Sequence, residues 1–160
     1  MEQGKLLELY IIKILKPKKN NNMQVFHELV IKTKGQGLYN FTQQTTNWVK
    51  KQKINNGILN LNILHTSASL TIQENADPDV LYDIKNFFDK LVPMNNALYK
   101  HTTEGIDDMP AHIKSVLSNN QLTLSVRGKK IILGTWQDLY LFEHRLENQS
   151  RIISHHLMGD

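Results

Sequence analysis

The segment from His101 to His112 holds the densest set of chemically useful side chains in this sequence. Its twelve residues, HTTEGIDDMPAH, combine two imidazoles with the carboxylates of Glu104, Asp107 and Asp108. Histidine and carboxylate together suit zinc, manganese or iron, and the same groups can serve as general base and acid near neutral pH. The spacing matches no standard metal signature, such as the His-x-x-x-His of a zinc-binding helix, so both kinds of site stay open.

A second candidate region follows a predicted strand that ends at His65. The strand delivers an imidazole and then the hydroxyls of Thr66 and Ser67. Small hydroxyl residues with free backbone N–H groups suit a phosphate or a carboxylate. The structural alternative is a strand end whose hydroxyls satisfy a turn. Further along, Glu74 and Asn75 have no evident structural duty, which makes them candidates for ligand contacts.

The third candidate region contains two of the three arginines in a chain that has sixteen lysines. A guanidinium offers a planar fork for bidentate contacts with phosphate or carboxylate, so Arg145 and Arg151 are candidate ligand contacts. Glu143 continues an apolar strand face, so we expect it to be partly buried and to need a cationic partner. Since alternate strand residues share a face, Glu143 is expected to orient Arg145 toward an anionic ligand. A purely structural Glu143–Arg pair is the alternative. Trp136 is more typical of a core residue than of a stacking surface.

Apolar periodicity predicts the elements that must position these groups. Strands are predicted over residues 25–33, 57–64, 70–72, 122–126, 131–133, 139–142 and 152–157, and helices over 42–51, from 78 to Pro93, and from about 110 onward. Asp77 before Pro78 is a predicted N-cap, and one of Asp107 and Asp108 is expected to cap the last helix. The middle helix repeats apolar residues on one face, which we expect to be core. Helices that lie between groups of strands without regular alternation favour an α+β fold.

Composition narrows the class of protein. With 160 residues the chain fits one domain that buries roughly two-thirds of its unfolded surface. Cysteine is absent, which excludes disulfides, thiol nucleophiles and thiolate metal ligands and favours a reducing, cytoplasmic location. Ten lysines and only three acidic residues fall in residues 1–64, away from most of the candidate groups. Because no nucleic-acid-binding module is recognisable either, we do not expect a nucleic acid as partner.

The first 22 residues are predicted to be an appended N-terminal arm ahead of a domain over residues 23–160. Residues 6–15, LLELYIIKIL, are apolar, but Glu8 and Lys13 interrupt them. They are far fewer than the roughly 20 apolar residues of a membrane-spanning helix, so no membrane span is expected. The polar run KPKKNNN then forms a joint. Two interpretations of the arm stay open: an extension that packs loosely on the domain, and a helix that binds a partner or a membrane surface.

Three blocks of the sequence closely resemble the YjbQ family in order and spacing. They are HTSASLTIQENADPDV from His65, His101 with EGIDDMPAHIK from Glu104, and GTWQ from Gly134 with EHR from Glu143. The resemblance runs from about residue 23 to the C-terminus. It implies a single mixed α+β domain whose strands form a β-sandwich with flanking helices, assembled as a homotrimer. It also implies a polar pocket that the three blocks line together.

Chemistry and resemblance together assign roles to individual residues. Catalytic roles are expected for His65, His101, Glu104, Asp108, His112 and Glu143. Substrate contacts are expected from Thr66, Ser67, Glu74, Asn75, Asp107, Trp136, Gln137, Arg145 and Arg151. A divalent cation, either zinc or magnesium or manganese, is expected on His65, His101 and His112.

Two classes of function follow from these assignments. Members of the family are associated with a thiamine phosphate synthase side activity, which joins a pyrimidine diphosphate to a thiazole phosphate. The first expectation is therefore an enzyme acting on phosphorylated small molecules, such as a transferase that releases pyrophosphate, in which arginine and a metal neutralise the leaving group. The alternative is a non-catalytic trimeric module that binds a metal or a small anion in the same pocket.

Overall fold

Two antiparallel β-sheets form the body of the protein in the computed structural model, which describes residues 22–160. The strands are β1 (Met23–Lys34), β2 (Gly37–Asn40), β3 (Gly57–Ile63), β4 (Ala68–Glu74), β5 (Gln121–Arg127), β6 (Lys130–Ile131), β7 (Gln137–Glu143) and β8 (Asn148–Gly159). The larger sheet has the order β1-β8-β3-β5-β6, and the smaller sheet has the order β2-β7-β4. The predicted arm lies outside the described residues, apart from Asn22.

The core lies between the two sheets because alternate strand residues point inward. In β5 the residues Leu122, Leu124 and Val126 are buried while their neighbours are exposed. Leu59 of β3 and Leu141 of β7 are fully buried in the same cluster, so the two sheets share one core. This arrangement confirms the expected α+β sandwich.

Within residues 22–160, three α-helices and one short 3₁₀ turn connect the strands. The helices are α1 (Thr42–Lys51), α2 (Pro78–Leu91) and α3 (Asp108–Leu117), and the 3₁₀ turn is Asn96–Leu98. All three helices agree closely with the predicted positions. Asp77 caps α2 as expected, since its side chain accepts a hydrogen bond from the backbone N–H of Asp79 at 2.9 Å. Among the described residues no helix is long and apolar enough to cross a membrane.

The apolar face of α2 is not core, which corrects the expectation from its periodicity. No residue of this helix is fully buried, and Phe87 and Leu91 are 61% and 54% exposed. Phe88 reaches the smaller sheet, where its ring packs edge-on against Phe142 with centroids 5.4 Å apart. Periodicity reveals that a helix has an apolar face but not how deeply that face is buried, and α2 lies shallowly across the outer face of the smaller sheet.

The predicted strand over residues 131–133 is shorter than expected. It is β6, which ends at Ile131, and it joins β5 through a two-residue turn at Gly128-Lys129. Both turn residues have positive φ angles, 55° and 60°, as a tight hairpin turn requires. The chain then leaves the sheet toward β7.

Candidate metal centre and adjoining cleft

Helix α3 places two potential metal ligands one helical turn apart. Asp108 opens the helix and His112 lies four residues later, so their side chains are neighbours. The Nε2 atom of His112 lies 3.3 Å from Oδ2 of Asp108, and Nε2 of His101 lies 2.8 Å from the same oxygen. One ligand atom from each of the three residues falls within 4.8 Å of the others. Two imidazoles and one carboxylate therefore converge on one point.

The orientation of His112 suits a metal ligand. Its Nδ1 lies 3.0 Å from the backbone carbonyl oxygen of Thr66. A carbonyl only accepts hydrogen bonds, so Nδ1 carries the proton and the neutral ring keeps a lone pair on Nε2. Ligating histidines in proteins typically have their second nitrogen held in this way. The donor set thus fits zinc or another divalent first-row cation.

The guanidinium of Arg145 forms hydrogen bonds with residues at the cluster. Its Nε donates to Oδ2 of Asp107 at 2.9 Å, one terminal nitrogen donates to Asp108, and the other donates to the backbone oxygen of Glu104 at 2.8 Å. Asp107 also accepts from the backbone N–H of Leu146 at 2.8 Å. Burial alone would raise the pKa of Asp107, but these donors hold it below its ordinary value. Arg145 therefore holds the carboxylates of Asp107 and Asp108 in place and favours the ionised form of Asp107.

This arrangement corrects the expected orientation of Arg145, and it places Asp107 at the expected N-cap position without the capping bond. The strand β7 ends at Glu143, so the alternation that was to point Arg145 along the face of Glu143 stops before it. Asp107 occupies the N-cap position of α3 but makes no capping bond, because its carboxylate is occupied by Arg145 and Leu146. Arg145 thus lies at the candidate site as a partner of carboxylates.

Glu143 and Arg151 form a buried ion pair next to Arg145, whose backbone N–H donates to the Glu143 carboxylate at 3.0 Å. The guanidinium donates to both carboxylate oxygens, from Nε at 2.7 Å and from a terminal nitrogen at 2.5 Å. Thr33 donates to the same carboxylate at 3.0 Å. Glu143 is fully buried and Arg151 is 4% exposed. The structure gives Glu143 its cationic partner in Arg151, and this geometry argues against the expected catalytic role of Glu143 and the expected ligand contact of Arg151.

His65 lies beside the cluster in an open cleft of about 550 Å³. The cleft is lined by His65, Thr66, His112, Ser115, Val116, Ser118 and Asn120. Nε2 of His65 accepts a hydrogen bond from the backbone N–H of Ile152 at 2.8 Å, so this nitrogen is occupied. Burial, together with the positive charge of Arg151, lowers the pKa of His65. His65 is therefore a neutral residue in the lining of the cleft. It does not belong to the group of three potential ligands.

Ser67 and Glu104 differ in their access to this region. Ser67 is buried, and its backbone oxygen accepts from Arg151 at 3.3 Å, so its expected contact with phosphate is not supported. The carboxylate of Glu104 is 66% exposed and lies 3.6 Å from Nε2 of His101. Glu104 is thus a solvent-accessible carboxylate at the edge of the cluster.

Four of the expected substrate contacts lie at the opposite end of the smaller sheet. In the pairing of β4 with β7, Ala68 faces Glu143 at one end and Glu74 faces Gln137 at the other. Six strand positions at about 3.3 Å each separate the two ends by about 20 Å. Asn75 and Trp136 extend this far end, where the backbone N–H of Asn75 donates to the oxygen of Trp136 at 3.1 Å. Within one chain these residues do not join the cluster.

Trp136 is also more exposed than its residue type led us to expect. Its side chain is 65% exposed, whereas a core position was the favoured interpretation. It sits in the turn before β7, where the neighbouring Gln137 folds back to accept a hydrogen bond from the backbone N–H of Gly134 at 2.7 Å. The turn, and not the sandwich interior, therefore determines its surroundings.

Sequence reasoning missed the polar residues that line the cleft. Ser115, Ser118 and Asn120 follow the recognised segment, but serine and asparagine near a helix end are usually explained by capping and turns. It also missed the state of His144, which is 1% exposed and shares a 2.9 Å hydrogen bond with Ser69 through Nε2. Burial, followed by the charge of Lys114, lowers the pKa of His144 to about 3. Neither feature carries a signal in residue spacing.

The fold and the cluster together define the class as an α+β sandwich with a cluster of two histidines and one carboxylate at one end of its smaller sheet. Residues 27–160 match the family model described as UPF0047 protein YjbQ-like, and the chain belongs to this family. The UPF0047 protein sll1880 of Synechocystis is 44% identical over 132 residues, which are 82% of this chain and 90% of that protein. The UPF0047 protein YjbQ of Escherichia coli O157:H7 is 42% identical over 133 residues, which are 82% of this chain and 96% of that protein.

Solved structures share the same fold. A YbjQ-like protein of unknown function from Sulfolobus solfataricus P2 matches with a TM-score of 0.80 and 23% identity, over 88% of this chain and all of that one (100%). An uncharacterized conserved protein of the yjbq/upf0047 family from Clostridium acetobutylicum matches with a TM-score of 0.71 and 32% identity, over 79% of this chain and 97% of that one. The names of these relatives give a family and no activity.

Proposed function

We propose that this protein is a metal-dependent enzyme that acts on phosphorylated small molecules. The observation that carries the proposal is the convergence of His101, Asp108 and His112, with the second nitrogen of His112 held by a backbone carbonyl. Zinc is the first candidate for the cation, and manganese or magnesium is the second. His65, which the sequence also suggested as a ligand, would contact the substrate instead.

Each residue around the cluster would have a separate role. A bound divalent cation would supply positive charge to phosphate oxygens and polarise them. Arg145 would hold Asp108 in place, and the Thr66 carbonyl would hold the ring of His112, so that both ligands keep one orientation. Glu104 is the exposed carboxylate that can accept or donate a proton at the edge of the site.

The charge of the phosphate would be met by the cation and not by a free guanidinium. Arg145 already binds two carboxylates and Arg151 is buried with Glu143. A narrower form of the proposal is the transfer that joins a pyrimidine diphosphate to a thiazole phosphate and releases pyrophosphate. Its support is the family resemblance, together with a cation site of the kind that a diphosphate leaving group needs.

The proposal is tested first at the level of metal binding. The protein is stripped with a chelator, and zinc or manganese is titrated by calorimetry into the wild type, into His112→Gln and into His156→Gln. His156 is the matched control, because it lies on the outer face of the larger sheet, where it stacks on Phe26. Loss of a group that only holds a metal ligand in place costs about 10- to 100-fold in metal affinity, so loss of a direct ligand should cost at least about 100-fold. Equal affinities in all three proteins would refute the proposed centre.

Catalysis is tested next on the metal-loaded protein. Release of phosphate or pyrophosphate is measured over a panel of phosphate esters and diphosphates, for the wild type and for Glu104→Gln. A loss of about 100-fold or more in turnover with unchanged metal affinity would support a proton-transfer role for Glu104.

The second candidate is a non-catalytic module that binds a metal or a small anion. It is favoured by the fact that Glu143, Arg151, Asp107 and Arg145 are all committed to contacts within the protein. This leaves few charged groups for proton transfer. Tight metal binding without turnover of any compound in the panel would support the non-catalytic module over the enzyme.

We propose in either case that the protein works as a homotrimer in the cytoplasm. The support for assembly is the exposed apolar surface of α2 and the end of α3, where Phe87, Leu91, Val116 and Leu117 are each more than half exposed. The number three comes from the family resemblance, which also suggests a pocket near a subunit boundary. Sedimentation at micromolar concentration tests it, and a monomer would refute it.

A further inference from the structure

The polar side chains that line the cleft beside the metal centre have fixed donor and acceptor roles. These roles select the ligand. Ser115 lines the cleft and donates its only hydroxyl proton to the backbone oxygen of Ala68 at 3.1 Å. Ser118 also lines it and donates to the backbone oxygen of Lys114 at 2.7 Å. A hydroxyl has one proton and its oxygen can still accept. Both serine oxygens can therefore only accept a bond from a ligand in the cleft.

His65 has the opposite and equally fixed polarity. A backbone N–H is a donor, so the Nε2 of His65 that receives it from Ile152 must carry a lone pair. The proton of the neutral ring is then on Nδ1. His65 can offer a bond only as a donor, unlike a free histidine that can exchange the roles of its nitrogens.

The lining carries no positive charge that would hold a phosphate. Among the described residues that border the cleft there is no lysine or arginine. A phosphate dianion has only acceptor oxygens, so it would meet the lone pairs of Ser115 and Ser118. Thr66 and Asn120 can serve as donor or acceptor, which leaves the two serines and His65 to set the selection.

We propose that the cleft binds an uncharged, donor-rich head group of the substrate, bearing at least two hydroxyl or amino protons for the serines and one oxygen or nitrogen acceptor for His65. This inference rests on the proposed function for the position of the phosphate, which lies on the cation next to the cleft at His112. The substrate class is thus the phosphate ester of a hydroxylated or amino-substituted compound. Simple alkyl phosphates lack the groups that the cleft recognises.

The test compares phosphate esters that differ only in donors, by calorimetry on the metal-loaded protein. Ribose 5-phosphate provides hydroxyls, an aminopyrimidinylmethyl phosphate provides an amine, and tetrahydrofurfuryl phosphate keeps a ring and the phosphate but has no donor on its head group. Each neutral hydrogen bond is worth a factor of about 2 to 10. We expect at least one donor-bearing ester to bind about tenfold more tightly than tetrahydrofurfuryl phosphate, and the one that does identifies the kind of donor.

Variants of Ser118 connect this preference to the cleft. Ser118→Ala should reduce the preference by a factor of about 2 to 10 without changing the affinity for inorganic phosphate, and Ser118→Thr, which keeps a hydroxyl, should restore it. Ser125→Ala is the control, since Ser125 is an exposed serine on β5. A thermal melt of each variant shows that the fold is kept.

Three outcomes separate this inference from the proposed function. Equal binding of all three esters, in a protein that binds inorganic phosphate only with metal, would overturn the inference and leave the proposed function standing. Donor-dependent binding of free ribose or aminopyrimidine that needs Ser118, without any affinity for phosphate, would support the cleft and refute the phosphorylated substrate. A preference that persists in Ser118→Ala and in a second variant, His65→Phe, would also overturn the inference.

Discussion

Removal of the guanidinium of Arg151 should destabilise the fold and leave the candidate metal centre intact. In Arg151→Met, the carboxylate of Glu143 stays fully buried and loses hydrogen bonds of 2.7 and 2.5 Å. The backbone oxygen of Ser67 loses a third contact. Breaking a buried pair by removing one partner costs about 3–5 kcal/mol, because the remaining charge is uncompensated. For a domain of this size the melting temperature should fall by roughly 10–15 °C.

The assay is urea denaturation at pH 7 with matched variants. Arg127→Met changes the same residue type at an exposed position and should cost less than about 0.5 kcal/mol. The double variant with Glu143→Gln removes the buried charge, so it should recover part of the loss. Zinc affinity should be unchanged in Arg151→Met, since none of its contacts involves a metal ligand. A stability loss below about 1 kcal/mol, combined with weakened ligand binding, would refute the structural role and restore Arg151 as a ligand contact.

Three further outcomes are expected from the same contacts. Burial holds the pKa of His144 at about 3 and that of His155 at about 4, below the ordinary 6.5, so the unfolded chain takes up these protons first. The free energy of unfolding should therefore fall as the pH drops from about 6.5 to about 4, by up to about 1.4 kcal/mol per pH unit for each histidine, and urea titrations of His155→Gln should show a shallower slope. A pH-independent wild type would contradict this. Arg145→Lys keeps the charge but loses the fork that holds two carboxylates, so calorimetry should show about 10- to 100-fold weaker zinc binding; an unchanged affinity would show that the fork is dispensable. Gly57→Ala should cost about 1–3 kcal/mol in urea denaturation, because its new Cβ would lie 2.0 Å from the backbone oxygen of Met158, and a neutral substitution would show that the two strands can separate freely.

Most of the fold was accessible from the sequence because local signals and tertiary structure agree. The period-two pattern of β5 and the cap at Asp77 each predicted an element that the structure contains. The shallow burial of α2 could not be predicted from the sequence, since an apolar helix face has the same residue pattern whether a sheet or another molecule covers it. The end of β6 was misplaced for a related reason: apolar character continues to Leu133, but the pairing with β5 stops at Ile131.

The candidate site was accessible only where its parts are close along the chain. His101, Asp108 and His112 lie within twelve residues, and a single helix start brings them together. Glu143 was predicted to orient the side chain of Arg145, but it pairs with Arg151, whereas Arg145 binds Asp107 and Asp108. The end of β7 changes which side chains share a face, and the sequence does not mark that end. The donor and acceptor roles of Ser115 and His65 depend on backbone groups far away in sequence, so no spacing reveals them.

The three potential ligands of the candidate centre lie on two kinds of backbone, because His101 belongs to the connection between α2 and α3. His101 is carried by residues 92–107, a stretch whose only regular structure is the 3₁₀ turn at Asn96–Leu98, whereas Asp108 and His112 share one turn of α3. A cation held by all three would therefore be released in two stages, first from the loop and then from the helix. The rate of release would follow the opening of the loop, while the helix would retain a weaker two-ligand half-site from which rebinding starts. Hydrogen exchange of the loop amides would then report the lifetime of the bound ion.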